Sequence, residues 1–329
     1  MNILVVGGAG YIGSHAARLL IDAGHTVWVY DNLSRGHRQA VPEGMLIEGE
    51  LNDRQKVVST LRDKKIDAVM HFAAFAYVNE SVNEPSLYYR NNVVAAIELL
   101  DAMREAEVNK IVFSSTTATY GEPNVVPIRE STPQLPINPY GFTKLVIERA
   151  LADYASAYGF AYASLRYFNA AGARADGTIG EDHEPETHLI PIVLQVALGQ
   201  RDQITIYGDD YATSDGTCVR DYIHVDDLGN AHVRALEQLR PGEGMCVNLG
   251  TGNGTSVREI VEACREVTGH PIPEVIGPRR AGDPSKLIAD ASLAKERLDW
   301  TPKYADVRPI VETAWRWHQS HPHGYTTSG

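Results

Sequence analysis

The stretch ILVVGGAGYIGSHAARLL, Ile3 to Leu20, constrains the fold more than any other part of the chain. An aliphatic run breaks into glycines at Gly7, Gly10 and Gly13, and an amphipathic helical pattern begins at once. In that setting each glycine serves a purpose. Gly7 permits a tight turn, Gly10 lets a pyrophosphate approach the backbone, and Gly13 allows close packing of helix on sheet. The helix N-terminus then faces the anion. The next apolar run, TVWVYDN, ends in Asp31, eighteen residues past Gly13, where a carboxylate can take both ribose hydroxyls of a dinucleotide. A 2′-phosphate would be repelled there, so NAD is expected over NADP, although Arg35 and Arg38 nearby leave some NADP tolerance open.

Up to Asn169, short β-branched runs (ILVVG, TVWVY, DAVMHFAA, KIVFSS, YASLRYFN) alternate with helical patterns. The alternation predicts an α/β fold with a Rossmann-type, doubly wound parallel sheet over residues 1–170. Between the third and fourth runs, Val93, Ile97, Leu100 and Met103 repeat at helical spacing and read as core or interface. The polar, glycine-containing segment NAAGARADGTIGEDHEPETH is too long for a simple connection and marks a boundary. Residues 171–329 are then expected to form a smaller mixed α/β substrate-binding domain. Its strands would be QITIYG and MCVNLG, its helices near 226–239, 256–267 and 291–298, and some segments would pack back on the first sheet.

With 30 Lys+Arg against 42 Asp+Glu, the net charge of -12 argues against a nucleic-acid partner or an anionic membrane. The three cysteines lack metal-type spacing, which suits a reducing compartment, and the N-terminus lacks a basic leader, so the cytoplasm is the expected location. HEPETH carries two histidines, but Pro185 interrupts a helix and the histidines stand five apart rather than four. It reads as a solvated loop, and no metal is expected.

Tyr140 is the tyrosine that has a lysine four residues on, Lys144. Asn138 as N-cap and Pro139 as first helical residue would put both on one face of a helix start. A phenol near pKa 10 must fall by about 3 units to act as a base near neutrality. An ammonium about 4 Å away supplies about 4 kcal/mol at an effective dielectric of 20, and a nicotinium ring would add to it. Thr116, after the strand KIVFSS, is a candidate donor to a substrate hydroxyl; the alternative is a strand-end threonine bonding its own backbone. Arg220 and Arg280 could fork a diphosphate, or pair with Asp221 or Asp283.

Taken together, GGAGYIGSH, DNLSRGH, FSSTTATYG, YGFTK, LRYFNAAGA, DGTCVRDYIHVDDL, NLGTGNGTSV, RRAGDPSKLIAD and HPHGY resemble the extended short-chain dehydrogenase/reductase family and, within it, the UDP-glucose 4-epimerases, nearly end to end. The resemblance implies NAD-dependent interconversion of UDP-galactose and UDP-glucose through a 4-keto sugar. Tyr140 would be acid and base, Lys144 its activator and a nicotinamide-ribose ligand, and Thr116 the residue orienting the sugar. It assigns Tyr11, Ile12, Asp31, Asn32, Ser34, Glu50, Leu51, Phe72, Ala73, Ala74, Asn91, Ser114 and Phe168 to NAD. To the UDP-sugar it assigns Asn169, His188, Leu189, Thr205, Ile206, Tyr207, Arg220, Arg280 and Asp283. It also implies a homodimer through the helices of residues 85–108 and 138–158. Leu287 stands where some members carry a gating tyrosine, which suggests UDP-GalNAc/UDP-GlcNAc as a second substrate pair. A 4,6-dehydratase would have an Asp-Glu pair where Thr117 and Ala118 stand. A 4-epimerase for a UDP-pentose or UDP-glucuronate, and a cofactor-bound sensor or scaffold, remain as alternatives.

Overall fold

The computed structural model describes residues 1–280 and 283–325. Its strands are β1 (Asn2–Val6), β2 (Thr26–Asp31), β3 (Leu46–Glu48), β4 (Ala68–His71), β5 (Lys110–Ser114), β6 (Ala161–Arg166), β7 (Asn169–Ala171), β8 (Ile204–Tyr207), β9 (Val219–His224), β10 (Gly244–Asn248), β11 (Gly254–Ser256), β12 (Glu274–Gly277) and β13 (Lys286–Leu287). Seven form one parallel sheet in the order β10-β6-β5-β4-β1-β2-β3. The order reverses between β1 and β4, which opens a crevice at the carboxyl ends of the strands.

The helices are α1 (Tyr11–Asp22), α2 (Arg54–Asp63), α3 (Val78–Asn83), α4 (Pro85–Tyr88), α5 (Ala95–Glu105), α6 (Pro139–Tyr158), α7 (Leu189–Ala197), α8 (Val225–Gln238), α9 (Val257–Thr268), α10 (Ser292–Leu298) and α11 (Val307–Ser320). Alternate residues of β1 feed two cores. Ile3 and Val5 pack with Ala17 and Leu20 of α1 and Leu228 and Ala231 of α8. Leu4 and Val6 pack with Val57 of α2, Leu99 and Met103 of α5, and Ile147 and Leu151 of α6. Helices on both faces explain why the central strands read as unbroken apolar runs rather than alternating ones.

A third core joins Val193 and Leu194 of α7, Ile260 and Cys264 of α9, and Ile310 and Ala314 of α11. Beside it, β9 gathers β7, β11 and β13 into a second sheet, and β8 pairs with β12. Two segments beyond residue 170 join the large sheet: β10 pairs in parallel with β6, and α8 packs on α1. The strands β3, β7, β11 and β13 have two or three residues each, too few to leave a periodic signal in the sequence. No helix among the described residues is long and apolar enough to cross a membrane.

Candidate active site

A cleft of about 710 Å³ lies at the sheet's carboxyl edge, between the large sheet and the loops that follow residue 168. Its nucleotide half is a cradle that side chains would fill. Gly7 has φ +77, and a Cβ there would come within 2.4 Å of the Ala73 nitrogen; a Cβ on Gly13 would lie 2.2 Å from the Gly7 oxygen. The Asp31 carboxylate accepts from the backbone nitrogens of Ala9 at 2.9 Å and Leu33 at 2.8 Å. Burial raises its pKa and those donors pull it back. The Asn32 amide reaches both Glu50 oxygens, and Ser34 donates to Asn32 Oδ1. Gly10, Tyr11, Ile12, Leu51, Phe72, Ala73, Ala74, Asn91, Ser114 and Phe168 complete this half. A glycine cradle with a carboxylate at its far end fits a dinucleotide. Arg35 is committed elsewhere, bonded to Glu80 at 2.7 Å and lying over the rings of Phe75 and Tyr77.

The chemical half is built on one helix start. Asn138 caps α6 by accepting from Gly141 N at 2.8 Å, with Pro139 at the first position. A Cβ on Gly141 would lie 2.5 Å from the Ala118 oxygen, so glycine is what lets the helix close onto the turn of residues 117–120. Thr116 Oγ1 accepts from Ala118 N at 3.1 Å, so its backbone-bonding role is real, but the hydroxyl proton stays available. Burial raises the pKa of Tyr140, and the hydrogen bond with Thr116 lowers it again. Lys144 Nζ donates to Ser114 O at 2.8 Å. Burial brings Lys144 down to about 7, against a smaller upward pull from Glu148. The protein's own groups therefore do not bring the phenol to neutrality, and a further positive charge is needed beside it.

Behind this pair lies a buried polar network whose pairing no sequence motif marks. Arg166 grips Glu148 through Nε at 2.9 Å and Nη2 at 2.6 Å, with side-chain exposures of 5% and 3%. Arg166 also donates to Tyr120, which passes on to Asn248, while Ser115 and Gln134 donate to Glu148. Asn92, in a π-helical turn (Tyr89–Val94) between α4 and α5, bonds Phe75 N, Phe75 O and Thr143 Oγ1. These partners lie far apart in sequence. A glycine at a helix start is the one local sign of the close approach, at Gly141.

On the opposite wall stand Asn169, His188, Arg220, Arg280, Asp283 and Leu287. Arg220 and Asp283 are bonded to one another while both line the cleft, so ion pairing and cleft lining hold together. Asp221 is taken up instead by Thr251, Gly252 and Ala289. Leu189, Thr205, Ile206 and Tyr207, expected at the UDP-sugar, are not among the residues that line the cleft. Leu189 packs into the third core and Ile206 is buried, while Tyr207 offers its ring to Arg280 at 4.0 Å. HEPETH is a loop as expected, with Glu184, Pro185 and Thr187 exposed, but it is not solvated throughout. Glu186 and, just before the segment, Glu181 have side-chain exposures of 5% and 4%, and His183 and His188 close on them in the cleft wall. Burial opposes charge on the histidines, yet the carboxylates prevail, raising His183 to about 9 and His188 to about 10.

Comparison with known proteins agrees with this geometry. The family described as NAD dependent epimerase/dehydratase matches residues 3–250. The chain is 56% identical over 328 residues to a UDP-glucose 4-epimerase of Halalkalibacterium halodurans, covering 99% of this chain and 98% of that one. A crystal structure of a UDP-glucose 4-epimerase superposes with a TM-score of 0.97 at 53% identity, covering 99% of this chain and 100% of that one. A UDP-glucose 4-epimerase from Brucella ovis in complex with NAD gives 0.93 at 53% identity, covering 95% and 97%.

Proposed function

The chain belongs to the NAD dependent epimerase/dehydratase family, and from that premise we propose how its site interconverts UDP-galactose and UDP-glucose through a 4-keto sugar. NAD is the cofactor. When bound, it supplies the acceptor and donor for the hydrogen at the sugar's C4 and, oxidised, a positive charge beside the phenol. The chain does the rest. The Gly7 to Gly13 cradle and Asp31 hold the dinucleotide. Tyr140 Oη takes the proton of the C4 hydroxyl and returns it, helped by the Thr116 hydroxyl, which donates to the phenolate form. Lys144, anchored on Ser114 O, presents its ammonium to the nicotinamide side. Arg220 and Arg280 fork the diphosphate, with Asp283 yielding its place on Arg220, and Asn169 and His188 face the sugar.

One observation carries this reading: Tyr140, Lys144, Thr116 and the Gly7 cradle line one cleft at one sheet edge. Purified protein given UDP-galactose without added cofactor should form UDP-glucose, followed by NMR. Tyr140→Phe should keep NAD yet lose turnover by orders of magnitude, and wild-type-like turnover in that variant would overturn the assignment. The same reading takes in UDP-GalNAc/UDP-GlcNAc, because Leu287, paired in register with Arg220, leaves the wall less bulky than a tyrosine would. It also includes a cytoplasmic homodimer. Val82, Leu87, Tyr89, Val94 and Phe142 are exposed on the helices of residues 78–94 and 139–158, an apolar face suited to a second copy.

A further inference from the structure

The cleft wall holds a second side-chain cluster, of which the proposed epimerisation uses only His188. One ligand-type atom from each of Glu181, His183, Glu186 and His188 lies within 4.8 Å of the others. His188 Nδ1 stands 2.8 Å from Glu181 Oε1 and 2.9 Å from Glu186 Oε1. His183 Nδ1 stands 3.3 Å from Glu181 Oε1 and 3.6 Å from Glu186 Oε2. Were these simple ion pairs, each buried atom should meet its neighbour in an aligned hydrogen bond. Glu186 Oε1 does so with His188 Nδ1 and two backbone nitrogens. Glu181 Oε1 and His183 Nδ1 do not: both are buried without a hydrogen-bond partner despite their proximity.

Atoms that are close yet misaligned are converging on a shared point. Ligands bound at about 2.0–2.2 Å around a tetrahedral ion lie about 3.3–3.6 Å from one another; the His183 separations of 3.3 and 3.6 Å match this, and the His188 separations of 2.8 and 2.9 Å would widen as the ion enters. Two neutral imidazoles and two carboxylates balance a dication, so an ion bound there would sit in the wall without net charge.

We propose that Glu181, His183, Glu186 and His188 bind a divalent transition-metal ion, zinc by preference, beside the substrate cleft. Two nitrogen and two oxygen donors suit zinc, and a site filled by four protein ligands is a structural one. The ion fastens the segment leading into α7 and fixes the His188 ring against the cleft wall. Tyr11 and Tyr77 set their ring edges against His183 at 6.2 and 6.3 Å, closing the other side. Binding of the ion is separate from the epimerase reading and is tested without turnover. The full chain, stripped with dipicolinate and dialysed, is titrated with Co²⁺ and then with Zn²⁺ against a chromophoric chelator. One equivalent of each should bind, Co²⁺ giving the visible absorption of a tetrahedral site, and zinc should raise Tm. His183→Ala and Glu186→Gln should each lower uptake at least about tenfold, since even the partners outside the ligand shell are worth about 10–100-fold in affinity. X-ray absorption of the wild-type zinc protein, which needs no variant, should show imidazole and oxygen ligands without sulfur. No uptake by the wild-type chain, meaning imidazolium–carboxylate pairs only, overturns the proposal, as does a sulfur shell or full uptake by the folded variants.

Discussion

Replacing Arg166 by Met would leave Glu148 at 3% exposure, still bonded to Ser115 and Gln134 but without its counter-charge. Removing one partner of a buried ion pair costs about 3–5 kcal/mol, because the remaining charge stays desolvated. At about 2.1 cal/mol/K per residue, the unfolding entropy of a 329-residue chain is about 0.7 kcal/mol/K, so Tm should fall by about 4–7 °C. Glu148→Leu should cost a similar amount by stranding the guanidinium. The double variant removes both charges and should be less destabilised than the sum of the two singles by about 2 kcal/mol or more, or about 3 °C. Scanning calorimetry of the four proteins at one pH and one saturating NAD concentration measures this. Strictly additive shifts in Tm would show that the two groups do not depend on one another, and would refute the reasoning.

Three further outcomes follow from the site. Lys144 sits near 7 when folded against 10.5 when exposed, so the unfolded chain binds more protons between those values. The cost of burying it is full below pH 7 and gone above 10.5, and NAD-free wild type should gain about 2 kcal/mol on Lys144→Met between pH 7 and 9; parallel Tm profiles would contradict this. Gly7→Ala places a Cβ 2.4 Å from the Ala73 nitrogen at φ +77, so the purified variant should lack NAD by absorbance, and wild-type NAD content would count against the cradle. Leu287→Tyr should cut kcat/KM for UDP-GalNAc by about 10-fold or more while UDP-galactose changes little; equal losses on both would dismiss the steric account.

What can be read from the sequence is what adjacency encodes. Gly7, Gly10, Gly13 and Asp31 stand on one strand-turn-helix-strand unit, and Tyr140 and Lys144 are fixed by helix periodicity once Asn138 caps them. The rest depends on tertiary approach. Arg166 and Glu148 meet because β6 passes under α6, and no spacing rule announces it. MCVNLG reads correctly as a strand, but its return to the first sheet beside β6 depends on topology rather than pattern. HEPETH lacks the spacing of a helical metal motif, and three of its side chains meet Glu181 from a loop instead. Thr205, Ile206 and Tyr207 follow the alternation of a strand. Ile206 faces inward, and Tyr207 is exposed with its ring against Arg280.

Tyr140, Lys144 and Glu148 stand four residues apart on α6. Each step of four advances a helix by about 400°, so each side chain is turned about 40° from the one before. Over two steps the row swings from the open cleft to the dry underside of β6. On the proposed reading, proton exchange, cofactor anchorage and this buried ion pair share one lever, and rotating that lever to suit another sugar would unseat all three. The opposite wall has no such gearing, since Arg220, Arg280 and Leu287 arrive from two strands and a loop. Divergence toward new substrates should therefore be written there, while α6 stays as it is.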